Sequence, residues 1–128
     1  MMAKTKPPQK NNEREERITM EIIVDAYGPE EQAMGWYYYL DEMLQFPFTA
    51  VCNARRAISP LLINDEVDVI RMAPEDECEK EMFVVIRWEN DGLAVPLSQL
   101  TPTDSTEADT RQAVEDWHYW VNMGYRLS

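Results

Sequence analysis

The stretch Met82-Phe-Val-Val-Ile-Arg-Trp-Glu-Asn-Asp-Gly-Leu-Ala-Val-Pro-Leu97 holds two apolar runs, Met82 to Trp88 and Leu93 to Leu97, on either side of Asn90-Asp91-Gly92. Val, Ile, Phe and Trp suit the pleated surface of a strand, and Asp-Gly between apolar runs is a strong hairpin signal. The segment reads as two antiparallel strands. Upstream, Phe46 to Cys52 and Val67 to Met72 have the same texture. These strands are too few for a sandwich and too closely spaced for the helical crossovers that parallel strands require. A small antiparallel sheet or barrel follows.

Helical patterns bracket that β unit. Ile18, Ile22, Ile23 and Ala26 recur at helical spacing until Gly28-Pro29, which predicts a short first helix starting near Glu13. A second helix is expected from Pro29 to about Leu44, with Glu30 and Glu31 at the positive end of its dipole and Ala33, Tyr37, Leu40 and Leu44 along one stripe. Asp41 and Glu42 lie near its other end, where the dipole opposes carboxylates. A closing helix carries Ala113, Val114, Trp117, Trp120 and Val121 on one face. Thr106 and Asp109 form a capping-box-like pair before it, and Gly124 is its C-cap. The fold class is therefore α+β: a small antiparallel β unit flanked by two N-terminal helices and one C-terminal helix. Met1 to Asn12, with Lys4, Lys6, Lys10 and the pair Pro7-Pro8, lacks apolar periodicity and reads as a disordered basic tail, which leaves 13–128 as one domain.

Charge narrows the function classes. The chain has 24 acidic and 12 basic residues, a formal net charge of −12, which repels nucleic acid and anionic membranes and attracts cations and basic proteins. The best apolar run, Ile18 to Tyr27, is broken by Glu21 and Asp25, so no membrane span is expected. No apolar stretch follows the N-terminal lysines before Glu13-Arg14-Glu15-Glu16, so no secretory signal is visible and a cytoplasmic location is expected. Cys52 and Cys78 are far apart and form no CxxC pair, which suggests buried or free thiols in place of a disulfide or zinc site. His118 is the single histidine. No serine lies in a GxSxG context and there is no glycine-rich phosphate loop, so an enzyme is not expected.

The densest charge is Pro74-Glu75-Asp76-Glu77-Cys78-Glu79-Lys80-Glu81, between two expected strands. In an extended chain Glu75, Glu77, Glu79 and Glu81 would share one side, with neighbours about 7 Å apart. A divalent cation would relieve their repulsion. Calcium suits the segment, because it accepts several hard oxygen ligands in flexible geometry while magnesium demands an octahedron and keeps its waters. On composition alone, a solvated surface is the more common fate of such a run. An EF-hand fails directly: Asp104 to Glu115 has the end-to-end spacing, but Ala108 stands where an oxygen ligand belongs and Asp109 replaces the required glycine. Any calcium site must join separate segments, the acidic loop with Asp41 and Glu42 or with Asp65, Glu66 and Asp68. Trp36-Tyr37-Tyr38-Tyr39 and Trp117-His118-Tyr119-Trp120 offer a stacking surface, although helix-to-sheet core packing fits them better. An acidic surface with exposed aromatics also fits an interaction module that binds a basic partner.

Longer strings carry a resemblance. Arg17-Ile-Thr-Met-Glu-Ile-Ile-Val-Asp-Ala-Tyr27, Ala33-Met-Gly-Trp-Tyr-Tyr-Tyr-Leu40, Gln45-Phe-Pro-Phe-Thr-Ala50, Glu75-Asp-Glu-Cys-Glu79, Ala94-Val-Pro-Leu97 and Val114-Glu-Asp-Trp-His-Tyr-Trp120 resemble the CcbP-type calcium-binding proteins best known from cyanobacteria. The resemblance spans roughly 17–125. It implies a non-EF-hand calcium protein, a buffer or sensor, with an SH3-like β unit flanked by helices. It also implies a main site formed by Asp41 and Glu42 with Glu75, Asp76, Glu77, Glu79 and Glu81, which moves the acidic loop from solvated surface to ligand.

Overall fold

The computed structural model describes residues 9–127. Most of the expected basic tail, including Lys4 and Lys6, lies outside the described residues. Asn11 and Asn12, which composition assigns to that tail, belong to the folded unit. The Asn11 side chain accepts the Arg14 N–H at 3.0 Å and caps helix α1 (Asn12–Arg17), while the Asn11 backbone N–H donates to the Tyr119 hydroxyl. A short asparagine side chain that bonds local backbone favours the cap position, which composition alone cannot register.

From α1 the chain runs into one π-helical stretch, Ile18–Ile22, with the Ile23 N–H reaching back to the Ile18 carbonyl. Helix α2 (Pro29–Met43) packs against this stretch so closely that a Cβ at Gly35 would collide with the Ile22 carbonyl oxygen. Helix α3 (Ala108–Asn122) is capped by Glu107, whose carboxylate accepts the Asp109 and Thr110 N–H groups. The expected Thr106 cap is displaced because its hydroxyl is turned toward Thr103 and the Thr49 carbonyl. At the other end Gly124 adopts φ +91°, and the Gly124 and Tyr125 N–H groups bond to Val121 and Trp120 in a Schellman closure. Tyr125 stacks on Trp120, the apolar contact that usually accompanies this motif.

Five strands follow α2: β1 (Phe48–Cys52), β2 (Glu66–Met72), β3 (Phe83–Trp88), β4 (Asp91–Pro96) and β5 (Leu100–Pro102). All pair antiparallel in the order β4-β3-β2-β1-β5. The hairpin exists, but its turn is Glu89-Asn90, with φ 50° at Glu89, while Asp91 and Gly92 already pair with Trp88 and Arg87. Gly92 serves packing: a Cβ there would meet the Val85 side chain. β5 is absent from the sequence-based reading because three residues, Leu-Thr-Pro, are too few to show alternation.

The core lies between α2, α3 and the sheet. Trp36 and Leu40 from α2 and Trp117 from α3 are almost wholly buried, together with Ala50, Val69 and Ile86 from the strands. Trp36 meets Trp117 edge-on at 5.1 Å, and Trp117 stacks on Trp120 at 5.6 Å. Such pairs add about 0.5–1.5 kcal/mol each beyond area burial. The tryptophans are thus core, as their helical spacing favoured. The buried stripe of α2 runs through Ala33, Trp36 and Leu40, leaving Tyr37 half-buried with its hydroxyl bonded. One buried carboxylate joins all three helices: Asp116 of α3 receives Arg17 through two bonds of 3.0 and 2.7 Å and the Tyr39 hydroxyl at 2.9 Å. Arg14 Nε lies 3.2 Å from the same carboxylate, near enough to pair in charge but without hydrogen-bond alignment. Among the described residues no helix is long and apolar enough to cross a membrane.

Candidate metal centre

The loop between β2 and β3 is not extended. Pro74 directs it into a 3-10 turn over Glu75–Glu77, closed by bonds from the Glu77 N–H to the Pro74 carbonyl and from the Cys78 N–H to the Glu75 carbonyl. Cys78 is buried and exchanges hydrogen bonds with the Phe83 backbone, pinning the middle of the loop to the start of β3. The alternation of Glu75, Glu77, Glu79 and Glu81 is therefore lost, because a turn rotates successive side chains away from a two-residue repeat.

This turn is held against α2. The Tyr37 hydroxyl donates to the Ala73 carbonyl at 2.7 Å, and the Tyr38 hydroxyl donates to Glu75 Oε2 at 3.1 Å. Between helix and loop lies an open cleft of about 540 Å³, floored by Ala33, Met34 and Tyr37 and rimmed by Glu30, Glu75, Asp76 and Glu79. A second hollow of about 500 Å³ continues along the N-terminal end of α2 and shares Glu30 and Glu79 with the first. Glu30, Met34, Tyr37, Tyr38 and Asp41 share a face because they follow helical spacing. That spacing is legible in the sequence and would have drawn Glu30, read above as a dipole partner, into the site.

The expected site residues have different surroundings. Glu75, Asp76 and Glu79 meet at the cleft. Asp41 stands close enough to Tyr37 that, after burial and the neighbouring Cys78 thiol, the charges of Asp41 and then Glu75 help to push the phenol above its usual range. Glu42 is exposed on the last turn of α2 and Glu77 is exposed on the loop. Glu81 is committed elsewhere, to an ion pair with Arg56 at 2.8 Å. Of the other acids that spacing allowed, Asp65 accepts the Leu62 N–H and Asp68 meets Thr49 and Arg87, while Glu66 is exposed at the start of β2.

The donor set suits a hard cation. Among the described residues none of Asp41, Glu42, Glu75, Asp76, Glu77 and Glu79 lies within 4.0 Å of a lysine or arginine nitrogen. No basic residue occupies the last turn of α2, where Asp41 and Glu42 meet the negative end of the dipole. The one nearby thiol, Cys78, faces the backbone of Phe83, and burial raises its pKa and keeps it protonated. The single imidazole is also elsewhere, bonded to the Leu97 carbonyl. Oxygen is what remains, and oxygen is calcium's ligand. Among the described residues no three acidic, histidine or cysteine side chains are gathered tightly enough to enclose an ion. For these acids to enclose an ion, the loop and the helix would have to draw together.

Comparison with known proteins bears on the same region. A family model described as calcium binding, CcbP, matches residues 16–121. The crystal structure of Anabaena CcbP is similar to the chain at 41% identity and a TM-score of 0.81, covering 92% of this chain and 96% of that one. A calcium-binding protein in its calcium-binding form is also 41% identical, with a TM-score of 0.79 and coverage of 91% and 94%. A search of curated protein sequences gave no match. With a family match over most of its length, the chain belongs to the CcbP family of calcium-binding proteins.

Proposed function

We propose that the protein is a cytoplasmic calcium buffer or sensor that holds its ion between the end of α2 and the acidic loop. Asp41, Glu42, Glu75, Asp76, Glu77 and Glu79 form the ligand pool. Glu81 joins them only by giving up Arg56. The observation that carries this reading is the seating of the loop on α2, which puts Glu75 in contact with Tyr38, a residue that shares its helical face with Asp41. Like charges held there without a cationic partner repel one another, and a divalent ion reverses the sign of that interaction.

A site made partly from an exposed loop pays an ordering cost on binding, so the expected dissociation constant is about 10⁻⁶ to 10⁻⁴ M. Calcium titration calorimetry on the wild type and on the Glu75→Gln, Asp76→Asn, Glu77→Gln, Glu79→Gln variant tests the assignment. The variant should bind at least about tenfold more weakly, because ligand charge count sets affinity. Absence of saturable heat at millimolar calcium in the wild type would overturn the reading. Buffer and sensor differ in what closure does elsewhere. Calcium-dependent amide protection confined to the loop and α2 marks a buffer, and protection spreading to α3 or the sheet marks a sensor.

A second reading has one observation in its favour. The cleft combines an apolar floor with an acidic rim, which complements the aliphatic stem and charged head of a lysine or arginine side chain. In this reading the chain is an SH3-like interaction module for a basic partner. Binding of a cationic peptide would weaken with salt and ignore a chelator.

A further inference from the structure

We propose that Tyr37 and Tyr38 are positioning residues of the calcium site, gripping the acidic loop at two points so that Glu75 is presented to the ion already oriented. The inference rests on the reading above that Glu75 is a ligand. Adjacent helical residues point about 100° apart, so two consecutive tyrosines reach two different parts of a neighbouring loop. Tyr37, half-buried, holds the root of the loop through the Ala73 carbonyl at 2.7 Å. Tyr38, which is 52% exposed, holds Glu75 Oε2 at 3.1 Å. The two rings brace each other edge-on with centroids 5.9 Å apart.

Between the two gripped positions lies Pro74, whose ring fixes its own φ and leaves no N–H to satisfy. The span from Ala73 to Glu75 is thereby held at both ends and stiff in the middle. Glu75 is the acid of the loop that gains most from this. Its Oε2 accepts the phenol, and its other oxygen has no hydrogen-bond partner among the described residues. A carboxylate with one oxygen fixed and one free has already lost much of the rotational freedom that an ion must otherwise remove. Groups that hold a ligand by its non-coordinating atom tune metal affinity in the same way. Among the described residues no other acid of the loop is bonded to a side chain of α2. Asp76, Glu77 and Glu79 follow the orientation that Glu75 and the turn impose.

The test uses the full chain and calcium alone, with calorimetry on wild type, Tyr38→Phe, Glu75→Gln and the double variant. Tyr38→Phe should weaken calcium binding about tenfold, the lower end of what loss of an outer-shell partner costs. The double variant should bind no more weakly than Glu75→Gln, because the phenol acts through that carboxylate. Tyr38 is exposed, so the melting temperature of Tyr38→Phe in chelator should equal that of the wild type while its calcium-dependent rise is smaller. Unchanged or tighter binding in Tyr38→Phe, or losses that simply add in the double variant, overturns the inference while leaving Glu75 as a ligand. If Glu75→Gln binds like the wild type, Glu75 is not a ligand and both readings of this residue fall. Tyr37→Phe supplies a second measurement. Binding should weaken there too, and full affinity in a folded Tyr37→Phe removes Tyr37 from the grip.

Discussion

His118 shows how much one side chain's surroundings decide. Carbonyl oxygens only accept, so its Nε2 carries the proton donated to Leu97, and any further proton must go to Nδ1. Burial disfavours the charged ring and holds its pKa below the ordinary value. The unfolded chain takes up that proton near pH 6.5 and the folded chain resists it, so stability falls as pH drops below about 6.5, by at most about 1.4 kcal/mol per unit. Urea unfolding at pH 7.5 and 5.5 should show this decline in the wild type and a shallower one in His118→Gln. Equal slopes would mean that carboxylates alone carry the acid sensitivity. Tyr38 and Glu75 teach the complementary lesson about legibility. The sequence marks Glu75 as a candidate ligand and Tyr38 as part of an aromatic run, but their contact joins residues separated by 37 positions. Spacing along a helix orders its own face and carries no information about which loop will lie on it. The family resemblance implied that acids of the loop and of the end of α2 act together, and it named no tyrosine.

At the level of elements, the strong periodicities were legible and the local exceptions were not. The second and third helices and four of the strands follow from apolar spacing, because burial on one side imposes it. The turn of the β3–β4 hairpin was displaced from Asp91-Gly92 because Gly92 is needed to admit Val85, and one glycine signal cannot distinguish a turn from a close packing contact. Gly35 makes the same point with an opposite sign. By helix propensity alone Gly35→Ala should stabilise α2 by about 1 kcal/mol. The added Cβ would strike the Ile22 carbonyl, a backbone atom that moves only with the π-helical stretch. Overpacking of this kind costs about 1–3 kcal/mol, so the variant should be less stable than the wild type in denaturant unfolding. A gain in stability would show that the π-helical stretch yields easily.

For the whole molecule, the net charge of −12 sets a background of self-repulsion on which the ion acts. Calcium at 100 times its dissociation constant should add about 2.7 kcal/mol of stability. For a domain of this size that corresponds to a rise of about 10 °C in melting temperature. Scans in calcium and in chelator, matched in ionic strength with sodium chloride, separate binding from screening. Equal melting temperatures in the two would remove calcium as a stabilising ligand. The four-residue neutralised loop should lose most of the rise while keeping the fold, since its acids make few contacts with the core.

The carboxylate shared by α1, α2 and α3 also bears on how the protein is made. Arg17 and Asp116 are 99 residues apart. At a synthesis rate of about 5–20 residues per second, the arginines wait roughly 5–20 s on the ribosome for the residue that neutralises them. During that interval α2 and the strands are synthesised, but Trp36 has no Trp117 to pack against and Tyr39 has no carboxylate to receive its hydroxyl. Of the three helices, the one synthesised last fastens the one synthesised first.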